Sequence, residues 1–263
     1  MNIFRPVFLA SLLALLQACA TQPGTRADID AVLRASGLDA QLELLKQPLK
    51  NEKMDGLLAM IPDEWITMVN ATIADTLKPE EIREALKQDL QKNLSDHELR
   101  DVQKFYESET GRNIVALESG KLGSTPTHGT DRAAPDALAN ATGAGKAVSI
   151  LAEHGLNDAV DIALKNGCFG LDKVPFASML AGVVKKSQLS ALRQSVTASV
   201  RQQYTRLVPA DQSAYLAFAE SGAGQKFFAA RTRVMTSAAQ QTGDALNGQL
   251  GQRISQVCTA AKA

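Results

Sequence analysis

A few residues have types and spacings that could support chemistry. The segment Gly143-Ala-Gly145-Lys146 resembles the end of a phosphate-binding loop, whose backbone amides and lysine hold phosphate groups. Such a loop also needs a glycine five residues before its Gly-Lys pair and a hydroxyl residue after it. This chain has Asn140 and Ala147 at those places. We therefore predict a helix junction here, not a nucleotide site.

The three histidines offer no better site. His97-Glu98 begins like a helical zinc-binding motif, but Asp101 stands where the second histidine would be. His128 and His154 lie far from His97 and from each other in the sequence, and no Gly-x-Ser-x-Gly segment marks a hydrolase nucleophile. We predict no catalytic residue, no metal site and no cofactor, and we expect no polar side chains to converge on one pocket.

The N-terminus has the pattern of a secretory signal. Arg5 is the only charge before Arg26, and an apolar run occupies residues 7–16. A run of this length is too short to span a bilayer, which takes about 20 residues. A basic start, a short apolar stretch and small residues after it are typical of an export signal.

Two cleavage patterns compete after the apolar run. Leu16-Gln-Ala-Cys19 resembles a lipobox, in which Cys19 is acylated and becomes the new N-terminus. The other pattern is Ala18-Cys-Ala20, an A-x-A site with cleavage after Ala20 and no lipid. A third alternative leaves Cys19 as an incidental cysteine. We favour the lipoprotein, anchored on the periplasmic side of the outer membrane, with residues 20–27 as a polar tether.

The other two cysteines, Cys168 and Cys258, form an isolated pair. In an oxidising periplasm such a pair favours a disulfide over two buried free thiols.

Composition excludes several partners. The chain carries 28 basic and 28 acidic side chains, and this balance does not indicate a nucleic-acid-binding protein. Aromatic residues make up 5% of the chain, too few for the stacking platforms that bind single strands or sugars.

The pattern of apolar residues predicts an all-α protein. Alanine, leucine, lysine and glutamine fill long stretches with 3.6-residue spacing, and alternating β-branched runs are scarce. Ser95 and Glu98 form a predicted capping box at the start of one helix. The residues that follow, Leu99, Val102 and Tyr106, recur at helical spacing and should face a core.

Two segments of the chain repeat. The segment Phe105-Tyr-Glu-Ser-Glu-Thr-Gly111 aligns without gaps to Phe218-Ala-Glu-Ser-Gly-Ala-Gly224, 113 positions later. We interpret the two phenylalanines as structural equivalents, and each serine as a cap for the helix that follows.

An earlier pair of segments, residues 32–39 with Gly37 and residues 150–157 with Gly155, repeats in the same order. We expect both glycines to close a short helix.

These motifs resemble a known family. Leu-x-x-x-Glu followed by Phe-Tyr-x-Ser-x-x-Gly-Arg is similar to the motif of the bacterial envelope family called domain of unknown function 2059. The resemblance implies an exported, helical protein without an assigned activity, and it covers roughly residues 28–120 and 147–245. Glu109 stands where members of that family often carry proline, and Ala219 replaces the tyrosine in the second copy.

We therefore predict two tandem related helical-bundle repeats. The predicted parts are a signal peptide (1–19), the tether (20–27), a first repeat (28–120), a linker (121–146) and a second repeat (147–263). The second repeat should end in a long helix, which glycines at 243, 248 and 251 could interrupt.

For function, we favour a non-catalytic module that binds envelope proteins and touches the membrane only through its lipid. The alternatives are a carrier or sensor of an apolar ligand held between helices, and an uncharacterised enzyme.

Overall fold

The structure is a computed structural model, and it describes residues 28–44, 63–121, 133–156, 190 and 194–260. These residues form α-helices and turns with no strand among them, which confirms the predicted all-α class. Within these ranges, no helix is both long enough and apolar enough to cross a bilayer. The signal peptide, Cys19, the tether and Cys168 lie outside the described residues, as does the side chain of Cys258. Lipidation and the disulfide therefore stay predictions.

The helices fall into an earlier and a later group. The earlier helices are α1 (Ile29–Ala35), α2 (Leu38–Leu44), α3 (Asp63–Thr76), α4 (Pro79–Asn93), α5 (Asp96–Glu107) and α6 (Glu109–Glu118). The later helices are α7 (Ala133–Thr142), α8 (Lys146–Leu156), α9 (residues 194–204), α10 (Pro209–Glu220) and α11 (Gly222–Ala260).

Helix α5 begins where the sequence predicted. The Ser95 hydroxyl accepts a hydrogen bond from the Glu98 backbone N–H at 3.3 Å, and the Glu98 carboxylate accepts one from the Ser95 N–H at 2.8 Å. This reciprocal capping box satisfies two amides that the helix itself cannot pair. The helix then buries Leu99, Val102 and Tyr106 on one face.

Two prolines in the described residues also start helices. Pro79 lies in the first turn of α4 and Pro209 in the first turn of α10, where a missing N–H costs no helical hydrogen bond.

Of the two glycines expected to close helices, Gly37 has a φ of 72° and follows the C-cap of α1. Gly155 lies inside α8, so it does not close a helix, and that expectation is wrong.

The predicted long C-terminal helix is present as α11, which has 39 residues. At 1.5 Å per residue it spans about 58 Å. The glycines at 243, 248 and 251 lie within it and do not interrupt it. Each glycine costs a helix about 1 kcal/mol. The packing of α11 against α8, α4 and α3 stabilises the helix against this cost.

The predicted linker contains a helix. Helix α7 occupies residues 133–142 and packs on α10, so the range 121–146 is not all connection. The prediction relied on the Gly-, Ser- and Thr-rich residues 120–130, and it extended the linker too far. Pro135 and Leu138 of α7 are buried, which gives this short helix a reason to form.

One hydrophobic core joins the two predicted repeats. It extends without interruption from Val32 and Leu33 of α1 to Phe228 and Ala230 of α11. Helix α11 contacts α3, α4 and α5 from the first repeat and α7 and α8 from the later part of the chain. In the described residues, the two halves therefore pack as one body.

Candidate functional site

Two helical hairpins meet at the centre of this core. The first hairpin (residues 95–118) contains α5 and α6, which join at Ser108. The second hairpin (residues 208–231) contains α10 and the first turns of α11, which join at Ser221. The two hairpins pack crosswise: α6 contacts α10, and α5 contacts α11.

A serine and a glycine form the corner of the first hairpin. The Ser108 hydroxyl donates to the Phe105 carbonyl at 2.6 Å and accepts from the Gly111 N–H at 3.0 Å. A side chain at Gly111 would begin 2.2 Å from the Phe105 carbonyl oxygen. Only glycine therefore permits the two helices to approach this closely.

The corner of the second hairpin repeats this geometry. The Ser221 hydroxyl donates to the Phe218 carbonyl at 2.7 Å and accepts from the Gly224 N–H at 3.1 Å. A side chain at Gly224 would begin 1.9 Å from the Phe218 carbonyl oxygen. Each residue of this second corner lies 113 positions after its counterpart in the first corner.

Phe105 and Phe218 lie against each other. Their ring centroids are 3.9 Å apart, and the ring planes differ by 5°. Both side chains are half-buried and pack against the hydrophobic core. Tyr106 meets the edge of Phe218 at 5.7 Å. The predicted motif residues of the two hairpins thus form one aromatic cluster.

Polar contacts flank this stack on both sides. Lys226 donates to the Glu98 carboxylate at 2.6 Å. On the other side Asn113 donates to Asp211 at 3.0 Å, and Thr110 donates to the same carboxylate at 2.7 Å.

Next to the stack lies a buried network built on the only three tyrosines of the chain. Tyr204 and Tyr215 donate to the same oxygen of Glu118, at 3.3 Å and 2.8 Å. The buried Tyr106 side chain lies beside this network. All three tyrosines are at most 2% exposed.

Arg231 and Gln41 complete the network. Arg231 pairs with the second oxygen of Glu118 at 3.6 Å. Gln41 donates to that oxygen at 3.0 Å and accepts from Arg231 at 3.0 Å. Among the described residues, no buried side-chain nitrogen or oxygen lacks a hydrogen-bond partner.

Burial decides the ionisation of these groups. It raises the pKa of Tyr106, Tyr204 and Tyr215 well above the ordinary value for tyrosine, and the nearby charge of Glu118 raises it further. Burial is the largest single effect on Arg231 and lowers its pKa, but Glu118 and the three tyrosines together outweigh burial, so the pKa is raised. The tyrosines therefore stay protonated and donate hydrogen bonds. They do not supply a base or an ionised nucleophile.

The histidine and glycine motifs have structural roles. His97 pairs with Asp101 on the exposed face of α5, and His154 of α8 pairs with Asp244 of α11. Gly143 has a φ of 64° in the turn between α7 and α8, which is a helix junction. His128 lies outside the described residues. No three His, Cys, Asp or Glu side chains in the described ranges could hold a metal ion.

A cleft of about 410 Å³ opens between α4 and α11, away from the tyrosines. Asp89 and Arg233 line it and pair with each other at 2.6 Å. Its other polar lining includes Lys78, Glu81 and Gln241.

The network was not predicted from the sequence. The prediction was that no polar side chains converge, whereas Tyr204, Tyr215, Glu118 and Arg231 converge in the core. One signal was available. Glu118 and Arg231 are 113 positions apart, so the repeat places opposite charges at equivalent positions.

Comparison with known proteins finds a similarity that covers the first hairpin. Residues 80–138 match the model of the family DUF2059, described as an uncharacterized protein conserved in bacteria. The matched range begins in α4, contains the whole first hairpin and reaches α7. No curated protein and no solved structure matches the chain.

Proposed function

We propose that this is an exported lipoprotein of the bacterial cell envelope that acts through protein contacts and not through catalysis. The signal-like N-terminus supports an envelope location. The family match supports a bacterial origin only. The observation that carries the non-catalytic part is the closed tyrosine network. The polar groups of this network form hydrogen bonds with one another. The pKa values of its tyrosines are too high for them to act as bases at neutral pH.

Neither alternative gains support from the described cleft. An apolar ligand favours an apolar pocket, whereas charged and amide side chains line much of this one. An enzyme would need reactive groups that face a substrate. Tyr204 and Tyr215 donate to Glu118 instead, and Tyr106 is buried beside them.

The anchor is tested by labelling intact cells with palmitate. We expect label in the wild-type protein and none in Cys19→Ser. A mature N-terminus at Thr21 without lipid would reject the anchor and leave export intact.

The partner is tested by photo-crosslinking in intact cells. A photoreactive residue at the exposed position 240 of α11 should capture envelope proteins, identified by mass spectrometry. The matched control carries the same residue and also Cys19→Ser, which changes location without changing the surface. Unchanged crosslinks to membrane-bound partners in that control would count against an anchored module.

We also propose that the exported protein contains the Cys168–Cys258 disulfide. Peptide mapping without reductant should find the linked peptides. Two thiols that alkylate freely in periplasmic protein would reject it.

We propose further that the second hairpin is a diverged tandem copy of the first. The support is the repeated corner, in which Ser108 and Ser221 make the same two hydrogen bonds. The family match at residues 80–138 covers the first copy only.

A further inference from the structure

The contacts between the two hairpins are reciprocal. Each position of the first hairpin has an equivalent 113 positions later in the second. Under this relation Glu98 corresponds to Asp211, and Asn113 corresponds to Lys226. The structure pairs Glu98 with Lys226 and Asp211 with Asn113, so each contact is the other with the hairpins exchanged.

Reciprocal contacts of this kind define a two-fold relation. In an isologous interface residue i of one partner meets residue j of the other, and residue j of the first meets residue i of the second. A residue on the axis meets its own equivalent. Phe105 and Phe218 are such equivalents, and their centroids are 3.9 Å apart. The crosswise packing of α6 on α10 and of α5 on α11 follows the same relation.

Glu118 and Arg231 are a second pair of equivalents that meet each other. Their charged atoms are 3.6 Å apart, and the two side chains are 8% and 19% exposed. Two first hairpins placed about the same axis would bring two glutamates together, and two second hairpins would bring two arginines together. Both arrangements leave like charges in a partly buried site, which is strongly unfavourable.

We propose that the two hairpins form an intramolecular dimer about an axis between Phe105 and Phe218, and that the Glu118–Arg231 pair selects its partners. The first hairpin accepts a second hairpin and rejects a copy of itself. The usual partner is the second hairpin of the same chain. The second hairpin of another copy of this protein is chemically equivalent to it. This inference rests on the proposed tandem relation but not on export or on the lipid anchor.

The first test reverses the charges in the mature chain. Glu118→Arg places two arginines at the contact, and Arg231→Glu places two glutamates there. Each should lower the urea midpoint sharply. The variant with both changes restores opposite charges, and Gln41 can turn its amide to serve either orientation. Tyr204 and Tyr215 lose their acceptor at position 118 in this variant, so it should be less stable than wild type. Its midpoint should rise clearly above that of both single variants. A double variant no more stable than the weaker single variant would overturn the proposal, even if all three fail to fold.

The second test mixes the two single variants and refolds them together from urea. Each chain then lacks a compatible partner of its own but carries hairpins compatible with those of the other chain. Light scattering should give twice the chain mass for the mixture only. The matched control is the mixture of Asp89→Arg and Arg233→Asp, a pair that links α4 to α11 outside the hairpin contact. A mixture with the same mass distribution as the separate variants would overturn the selection of partners by charge, as would equal dimerisation in the control.

These results are independent of the palmitate and crosslinking experiments, because Cys19 is unchanged in every variant. Loss of the lipid anchor with successful charge exchange would reject the proposed location alone. Retained lipid with failed charge exchange would reject the hairpin axis alone.

Discussion

The first and second hairpins share a corner and differ in the surfaces that face each other. At the corner, Ser108 and Ser221 make matching hydrogen bonds. A side chain added at Gly111 or at Gly224 would meet backbone atoms at nearly the same distances. These constraints come from the backbone, so few residue types satisfy them. The two hairpins therefore have the same residue types, a serine and a glycine, at the corner.

The facing surfaces of the two hairpins place their large side chains at different positions. Tyr106 of the first hairpin corresponds to Ala219, and Tyr215 of the second corresponds to Val102. Each hairpin thus contributes one large tyrosine and one small residue, at different positions. All four are buried. A large side chain in one hairpin therefore accompanies a small one at the equivalent position of the other hairpin, as a well-packed core requires.

The largest expected effect breaks the shared corner. Gly111→Ala and Gly224→Ala would each push a methyl group into backbone at 2.2 Å and 1.9 Å. The two helices would have to separate, and we expect a loss of about 3 kcal/mol or more in the free energy of unfolding. Urea denaturation measures it.

Gly222→Ala is the matched control for the corner variants, because nothing lies within 4 Å of a side chain there. Its stability should stay within about 1 kcal/mol of wild type, with any gain coming from helix propensity. Corner variants as stable as this control would show that the close approach is not required.

The next effect tests the stack. Phe105→Ala and Phe218→Ala should each cost about 2–3 kcal/mol, less than the roughly 3–5 kcal/mol of a fully buried phenylalanine, because both rings are half-buried. The double variant should cost about 1 kcal/mol less than the sum, because the first truncation already removes the ring contact.

Phe227→Ala serves as the fully buried control for the stack and should cost about 3–5 kcal/mol. Unchanged urea midpoints in both single variants would make Phe105 and Phe218 a surface for a partner.

Local signals in the sequence predicted the corners well. The capping box at Ser95, the serine at 108 and the glycine at 111 each satisfy a constraint within a few residues, and such constraints are legible in sequence. The long helix α11 was predicted from its apolar spacing, although its interior glycines suggested breaks that packing prevents.

Long-range contacts could not be predicted from the sequence in the same way. Gln41 and Arg231 are 190 residues apart, and nothing near either of them indicates that they meet. The tyrosine network likewise depends on the placement of whole helices. The charge reversal between Glu118 and Arg231 could have been read from the repeat, but only with the knowledge that equivalent positions face each other.

A smaller effect compares the two caps. Ser108→Ala and Ser221→Ala should each cost about 1 kcal/mol, the usual value for an N-cap serine. Near-equal losses in urea are expected because the two cap geometries match. Ser213→Ala, at an exposed position inside α10, should stay within about 0.5 kcal/mol of wild type. A loss at only one of the two caps would show that the corners differ in energy despite their common geometry.

The smallest effect concerns the two polar pairs that flank the stack. Glu98 pairs with the charged Lys226, whereas Asp211 pairs with the neutral Asn113. Lys226 and the capping-box bonds of Ser95 lower the pKa of Glu98 from its ordinary 4.5 to about 2. A carboxylate whose pKa is lowered by folding stabilises the protein above its unfolded pKa. That contribution is lost as the pH falls from about 4.5 towards 2. The urea midpoint of wild type should therefore fall more than that of Glu98→Gln across this window.

Lys226→Gln should show an intermediate fall, since the capping box remains. Added salt should shrink the difference, because the pair is solvent-accessible and screened. Equal falls in wild type and Glu98→Gln would show that this flank of the axis is held by packing alone.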